Sequence, residues 1–435
     1  MKYKKSFYNI IIDKIDGKYL LFNSLSGSLV LLNEECKNFY DRIEDIYDLN
    51  DQELEYFNLM KENALLVDYD LDEYGLYTIK EKSNRYNPQM FTLTIAPTMN
   101  CNMNCPYCYE KKEQSKMDKN IIDKLFDFAI ENIKLNSYKE FHVAWYGGEP
   151  LLAKDIIYDL SEKFIDFCNN NNVIYTSSIV SNGTLLDNDT AKNLCKYKID
   201  IIQITLDGMP ETNNKRRLLK NRKPSFDVIL NSIKIASEFI NVKVRCNIDK
   251  ENVHEIRPLI NLFNKEKLLD KGNIELYFAP VTNYTEVCKS TSCFTNKEFV
   301  SIQKDILDIF SEFNATLNIP KLCNSCSATG LGTYVIDSEG YIYKCWDEIE
   351  IKEQSIGNVK TGLKVNNRLL KWINSDFPDI CKECKLLPVC GSECPFVIIQ
   401  NSNFKCNYKN LIIDDILRRY YKQYKKNKEE IIENV

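Results

Sequence analysis

The chain has 435 residues, 44% of them hydrophobic, with 57 basic and 62 acidic side chains and a formal charge of -5. That length and apolar content predict two or three packed units rather than one small domain. The charge is evenly spread, with basic runs no longer than pieces such as KKNKEE, and there is neither a long apolar span nor a cleavable leader, so the chain reads as cytosolic, with no nucleic-acid and no membrane partner.

Residues 1–85 read as a small unit of their own. FYNIII and KYLLFN flank the turn DKIDG, and SLVLL follows SLSG, which predicts three short strands. NEECKNFYDRIEDI and NDQELEYFNLMKEN then read as helices, the second capped by Asn50 or Asp51. Charged IKEKSNRYNP, residues 79–88, reads as a linker. From 91 to 315 the pattern becomes strand, loop, helix, repeated. The strands are FTLTI, FHVAW, IYTSSIV, IIQITL, VKVRCNI and IELYFA, and Ile122, Leu125, Phe126, Ala129 and Ile133 lay an apolar stripe on the first helix. Six such units predict an α/β fold, a parallel sheet with helices outside that curls into a partial (β/α)6 barrel. In parallel barrels the chemistry gathers at the carboxyl ends of the strands.

Seventeen cysteines against two histidines, His142 and His254, are the main anomaly. In a reducing compartment so many thiols read as metal or cluster ligands rather than disulfides, and the two histidines as ordinary structural or surface residues. Three of the cysteines crowd the end of the first strand in TLTIAPTMNCNMNCPYCYEK: Cys101, Cys105 and Cys108. A structural zinc site closes on four ligands, so three here would need a distant fourth. A cubane iron-sulfur cluster held by three thiolates keeps one iron open for an exogenous ligand.

The spacing C-x3-C-x-aromatic-C, with Tyr107 as the aromatic residue, resembles the signature of radical S-adenosylmethionine (SAM) enzymes. The resemblance implies a 4Fe-4S cluster whose open iron chelates SAM, reductive cleavage to a 5'-deoxyadenosyl radical, and an external reductant such as flavodoxin or ferredoxin. Later strand ends resemble the family in the same order. YGGEP supplies Gly147, Gly148, Glu149 and Pro150, two glycines that permit close backbone approach and a carboxylate for the methionine ammonium. SNGTLL supplies Ser181 and Asn182 for ribose or carboxylate, and TLDG supplies Asp207. A downstream arginine, Arg216 or Arg217, is implied for the carboxylate of SAM.

A second array fills the C-terminal third: Cys326, then Gly340 and four residues to Cys345, then CKECKLLPVCGSEC with Cys381, Cys384, Cys390 and Cys394, then Cys406. By spacing alone it suits a zinc ribbon as well as iron-sulfur. It resembles the SPASM extension of radical SAM enzymes, which implies two auxiliary 4Fe-4S clusters. The first would use Cys326, Cys345 and Cys394, with Cys323 as fourth ligand or Cys288 or Cys293 in its place; the second would use Cys381, Cys384, Cys390 and Cys406. Cys36, Cys168, Cys195 and Cys246 read as buried, inert thiols away from both arrays.

The domains expected are therefore 1–85, resembling the winged-helix-like recognition domain of peptide maturases; 91–315, the radical SAM core; 320–410, the SPASM domain; and 411–435, a helical tail. The function this implies is a SPASM maturase of ribosomally made peptides (RiPPs). It would grip the leader of a precursor peptide at a sheet edge and install a cysteine-derived thioether in its core. The alternatives are a carbon-carbon crosslinking maturase, a sulfatase-type formylglycine maturase, and a non-enzymatic zinc-binding interaction protein. Sulfatase maturases carry an acidic base beside an auxiliary-cluster cysteine; here KCWDE interposes Trp346 between Cys345 and Asp347, a departure that counts against that option. No residue is assigned as a general base.

Overall fold

The computed structural model describes residues 2–43, 48–110, 115–281, 292–313, 319–323, 325–392, 394–400, 406 and 412–433. Contacts divide the chain into two units: Met1–Arg85 with Asn296–Cys326 and Asp376–Val435, and Tyr86–Thr295 with Ser327–Ser375. The division cuts across the domain boundaries expected from sequence. Residues 1–85 share a unit with most of the second cysteine array, and 327–375 go with the parallel sheet.

In the first unit, β1 (Tyr3–Lys5), β2 (Asn9–Ile15), β3 (Lys18–Asn23) and β4 (Leu29–Leu32) are followed by α1 (Glu34–Arg42), α2 (Asp51–Glu62), β5 (Leu66–Asp68) and α3 (Glu73–Arg85). Strands β2, β3 and β4 form an antiparallel sheet in that order. Alternation sends Ile12, Ile15, Leu20 and Phe22 into a core with Leu386, Ile413, Leu417 and Tyr421, whereas Leu21 and Leu32 join Cys36, Phe39 and Met60 in another. The N-terminal sheet thus shares a core with the C-terminal helix Ile413–Glu433. Asn50, one of the two caps the sequence offers, is the N-cap of α2, and it closes a capping box with Glu53.

Two features differ from the sequence reading. β1 pairs with β5, a partnership across some sixty residues that no local pattern announces. The linker expected at 79–88 is mostly the helix α3, which begins with Asp72 accepting from the Gly75 N–H at 2.9 Å. Lys80 and Lys82 are exposed, but the acidic residues of this helix face inward with partners. Glu73 accepts from the Ser6 hydroxyl and from the Phe7 N–H at 2.8 Å. Glu81 pairs with Arg85 at 2.6 Å and accepts from the Ser325 hydroxyl at 2.8 Å.

The second unit contains the parallel sheet. Its strands are β6 (Met90–Ile95), β7 (Glu140–Trp145), β8 (Ile174–Ser181), β9 (Ile199–Thr205), β10 (Asn241–Ile248) and β11 (Ile274–Pro280), all six where the sequence predicts them. They lie side by side in chain order and every pair is parallel. Helices α4 (Lys119–Asn136), α5 (Lys154–Asn170), α6 (Asn188–Lys196), α7 (Pro210–Arg216), α8 (Phe226–Ala236) and α9 (Ile256–Lys265) occupy the crossovers. The stripe on α4 is buried at Ile122, Leu125, Ala129 and Ile133, and Phe126 stacks on Phe164 of α5. Beyond β6 the sheet continues through β12 (Thr333–Ile336), parallel to β6, into the antiparallel strand β13 (Tyr341–Tyr343). No helix among the described residues is long and apolar enough to cross a membrane.

Candidate functional site

The cysteine turn leaves the carboxyl end of β6 and is held from both sides. Met103 bridges to Leu219, the Asn104 N–H donates to the Leu218 carbonyl at 2.9 Å, and the Lys220 N–H donates to the Asn102 carbonyl at 2.9 Å. On the other side the Asn182 amide donates to Asn102 Oδ1 at 2.7 Å and reaches Cys101 Sγ at 3.9 Å. Cys101 is buried; Cys105 and Cys108 are half-buried.

The two glycines of YGGEP serve the protein's own backbone. Gly147 has φ +109°, and a Cβ there would fall on the Thr98 carbonyl oxygen. At Gly148 a Cβ would lie 2.5 Å from the Asn100 carbonyl oxygen. The loop therefore presses against the root of the cysteine turn, and only glycine leaves room. Gly148→Ala is expected to cost about 1–3 kcal/mol by overpacking and to displace the turn, read as a lower melting temperature together with a fall in SAM cleavage.

Glu149, Ser181 and Asn182 meet, though first with one another. The fully buried Glu149 carboxylate accepts from the Ser181 hydroxyl at 2.8 Å, the Asn182 N–H at 2.7 Å and the Leu151 N–H at 3.0 Å. Burial pushes its carboxyl above the ordinary range, against the lowering effect of those bonds. This brace ties the end of β8 to the loop after β7. Pro150 opens the short 3-10 turn Pro150–Ala153 and is buried.

The third group centres on Tyr107. Its hydroxyl bonds to Asp207, accepts from Arg217 Nη1 at 2.8 Å, and has the Asn247 amide at 3.4 Å. The two arginines that the sequence leaves undivided have different partners. Arg216 is ion-paired to Asp249 at 2.8 Å and lies over the Tyr107 ring at 5.2 Å. Arg217 lies 3.7 Å from Asp207, and its buried Nε, like that of Arg216, has no hydrogen-bond partner among the described residues. Burial works against the Arg217 charge, but Tyr107, Cys105 and Asp207 outweigh it and keep the guanidinium protonated.

Several rim residues were missed by sequence reasoning. The Asn247 N–H donates to Asp207 Oδ1 at 2.9 Å, and Glu255 accepts from the Met209 N–H at 2.8 Å beside Gly208. The run NIDKEN, which ends the fifth strand and opens the loop after it, was the available signal for Asn247 and Asp249. Tyr109 and Tyr146, each adjoining a motif, are hydrogen-bonded to each other, and Trp346 stacks on Tyr146 with ring centroids 5.7 Å apart. Trp346 does not keep Asp347 from Cys345: the thiol reaches Asp347 Oδ2 at 3.6 Å, and burial pushes that carboxyl up. Cys246 is buried on β10, as expected, and burial pushes its thiol up, with Asp207 adding to the rise. Cys195 is exposed, contrary to expectation.

Cys381, Cys384, Cys390 and Cys406 line one cavity of about 500 Å³, with Ile10, Leu386, Leu387 and Ile413 as apolar wall. Cys323 lies beside this array, close enough that a Cβ on Gly391 would come within 2.5 Å of its sulfur. Cys326 and Cys394 fall in the same unit, and Cys345 falls in the other. Cys293 is half-buried; Cys288, its sequence alternative, lies outside the described residues. No three His, Cys, Asp or Glu side chains among the described residues meet as a single-ion site.

Strand ends bearing a three-thiol turn, a buried carboxylate and a protonated arginine define the class. Residues 95–263 match the Radical SAM superfamily. A cysteine-type anaerobic sulfatase-maturating enzyme of Clostridium novyi is 27% identical over 77% of this chain and 94% of its own length. The structure titled native anSMEcpe with bound AdoMet and Cp18Cys peptide superposes with a TM-score of 0.60 at 18% identity, covering 80% of this chain and 100% of that one. Streptococcus suis SuiB bound to precursor peptide SuiA gives a TM-score of 0.51 at 16% identity, covering 92% of this chain and 97% of that one. Residues 95–263 thus form a radical SAM domain, whose cofactors are SAM and 4Fe-4S clusters. The resemblance to SPASM-type maturases stands on the same findings. The residues present fit these groups: three thiols on one turn, a buried Arg217 nitrogen in want of an acceptor, and four thiols around one cavity.

Proposed function

We propose that this radical SAM enzyme matures a ribosomally made peptide by joining a cysteine sulfur to a carbon of another residue. The observation that carries the reading is the open edge of the N-terminal sheet: β2 and β4 each pair only with β3 among the described residues. An extended leader would add there as a further strand. Leu29 and Val30 are half-buried and Leu31 is exposed on β4, which offers apolar side chains along that edge. The SuiB structure, which carries a precursor peptide, covers 92% of this chain where the sulfatase maturase covers 80%, and this also favours a leader-guided substrate.

In this reading Cys101, Cys105 and Cys108 hold the SAM-binding cluster, and Arg217 takes the carboxylate of SAM. Tyr107 and Asp207 hold Arg217 in place, and the Glu149 brace keeps the loops after β7 and β8 together. When bound, SAM and the reduced cluster supply a 5'-deoxyadenosyl radical. Cys381, Cys384, Cys390 and Cys406 hold one auxiliary cluster, and Cys326, Cys345, Cys394 and Cys323 are the set for the other. Each thioether removes one hydrogen from carbon and one from sulfur, and the surplus electron needs an acceptor, the role given to an auxiliary cluster.

A second reading, formylglycine formation, is favoured by the contact between Asp347 and Cys345. A buried carboxyl with a raised pKa beside that thiol is suited to accept a proton. Anaerobic co-expression with any short cysteine-containing peptide found encoded beside its gene separates the two. The thioether reading expects each link to lower the peptide mass by two hydrogens and to make one cysteine resistant to alkylation. Mass loss with every cysteine still alkylable would move a carbon-carbon crosslink into first place, and an aldehyde at cysteine or serine would establish the sulfatase-type reaction.

A further inference from the structure

Parallel sheets covered on both faces are built from nearly continuous apolar runs. Here only one face is apolar. Along β10, Val242, Val244, Cys246 and Ile248 are buried, while Lys243 is exposed and Arg245 and Asn247 are half-buried on the opposite face. The neighbouring strands repeat this. The Tyr277 hydroxyl of β11 reaches over β10 to Gln203 Oε1 of β9 at 2.6 Å. On β7, His142 bonds to the Thr176 and Ser178 hydroxyls of β8 at 2.9 and 3.1 Å, and burial lowers its pKa, so it is neutral near pH 7. Between the exposed pair Lys243–Glu275 and the rim, this face presents mainly neutral donors and acceptors across five strands.

Arg245 is the exception. It stands one register step in from Asn247, whose N–H and amide meet Asp207 and Tyr107 at the rim. Arg245 Nε donates to Asn247 Oδ1 at 2.8 Å, and no carboxylate lies within ion-pair distance of its guanidinium among the described residues. The nearby charges are already paired: Asp207 with Arg217 at 3.7 Å, and Lys243 with Glu275 at 3.3 Å. A half-buried guanidinium carries a desolvation cost that an anion would offset, and its fork matches a carboxylate in two-point contact. The position, on the open face beneath the carboxyl ends of the strands, is where a substrate enters in parallel α/β enzymes.

We propose that Arg245 is a specificity residue that binds a carboxylate of the substrate peptide, from an Asp or Glu side chain or from the C-terminus, next to the site of hydrogen abstraction. This rests on the peptide-maturase reading above. The test is capture of random short synthetic peptides, in free-acid and C-terminally amidated forms, by the anaerobic SAM-loaded holoenzyme, with bound peptides identified by mass spectrometry. The native enzyme is expected to enrich Asp or Glu over Asn or Gln at one position by about tenfold, or free acids over amidated peptides by a similar factor. Arg245→Gln should abolish the preference. Arg245→Glu should turn it toward Lys or Arg, a gain that misfolding cannot imitate. Capture of peptides with no acid preference, or of none above a heat-denatured control, overturns the role of Arg245, while the leader-guided reading is decided separately by the co-expression experiment above.

Discussion

Replacing Cys101, Cys105 and Cys108 together with alanine is expected to abolish reductive SAM cleavage and to remove about four iron atoms per chain from anaerobically prepared protein. The loss should be complete rather than graded. SAM has no metal to chelate once the three thiolates are gone, and Arg217 alone offers its carboxylate a single charged partner. The fold should survive. Cys105 and Cys108 are half-buried, and the turn is held by the backbone pairing of residues 102–104 with 218–220 and by the Asn182 amide, none of which the substitution removes. Iron content, 5'-deoxyadenosine formation and the melting curve check this together. Undiminished 5'-deoxyadenosine from the triple variant would overturn the assignment of this turn.

Cys384→Ala combined with Cys390→Ala is expected to remove a further set of about four iron atoms, to leave SAM cleavage in part, and to eliminate crosslinked peptide. These two cysteines share the cavity with Cys381 and Cys406, and its walls are otherwise mostly apolar, with Glu383, Lys385 and Ser392 among them. An apolar shell sets the potential of a bound cluster and keeps water from it. Ile10 and Ile413 line the same cavity and pack in the core that joins the N-terminal sheet to the C-terminal helix. Loss of the cluster should therefore loosen β2 and β3, read as faster amide exchange there. Stoichiometric zinc in the native protein, with no iron lost on substitution, would replace the cluster with a zinc site. The shared core also means that cutting away residues 1–85 would strip Leu386, Leu417 and Tyr421 of their packing partners. Leader binding is better probed by substitution along β4 than by truncation.

Much of this protein was legible locally. Six strands, the stripe on α4, a cap at Asn50 or Asp51 and the order of the cysteine and glycine motifs all rest on near neighbours in sequence, whose periods of two and 3.6 residues do not depend on the rest of the chain. The rim could be read as a set of strand-end motifs for the same reason, because parallel strands deliver their carboxyl ends to one side. What the motifs touch was a different matter. Glu149 bonds to Ser181 and Asn182, more than thirty residues away, and Tyr107 to Arg217, across more than a hundred. Adjacent arginines of one type could be told apart only by their partners, Asp249 for Arg216 and Tyr107 for Arg217. Charged α3 looked like a linker because composition cannot reveal that Glu73 and Glu81 face inward toward Ser6, Arg85 and Ser325. Sequence determined which segments form regular structure and which residues stand at strand ends, since both follow from short-range sterics and burial. Only the tertiary structure decided the long-range pairings, because these depend on where the chain returns to meet itself.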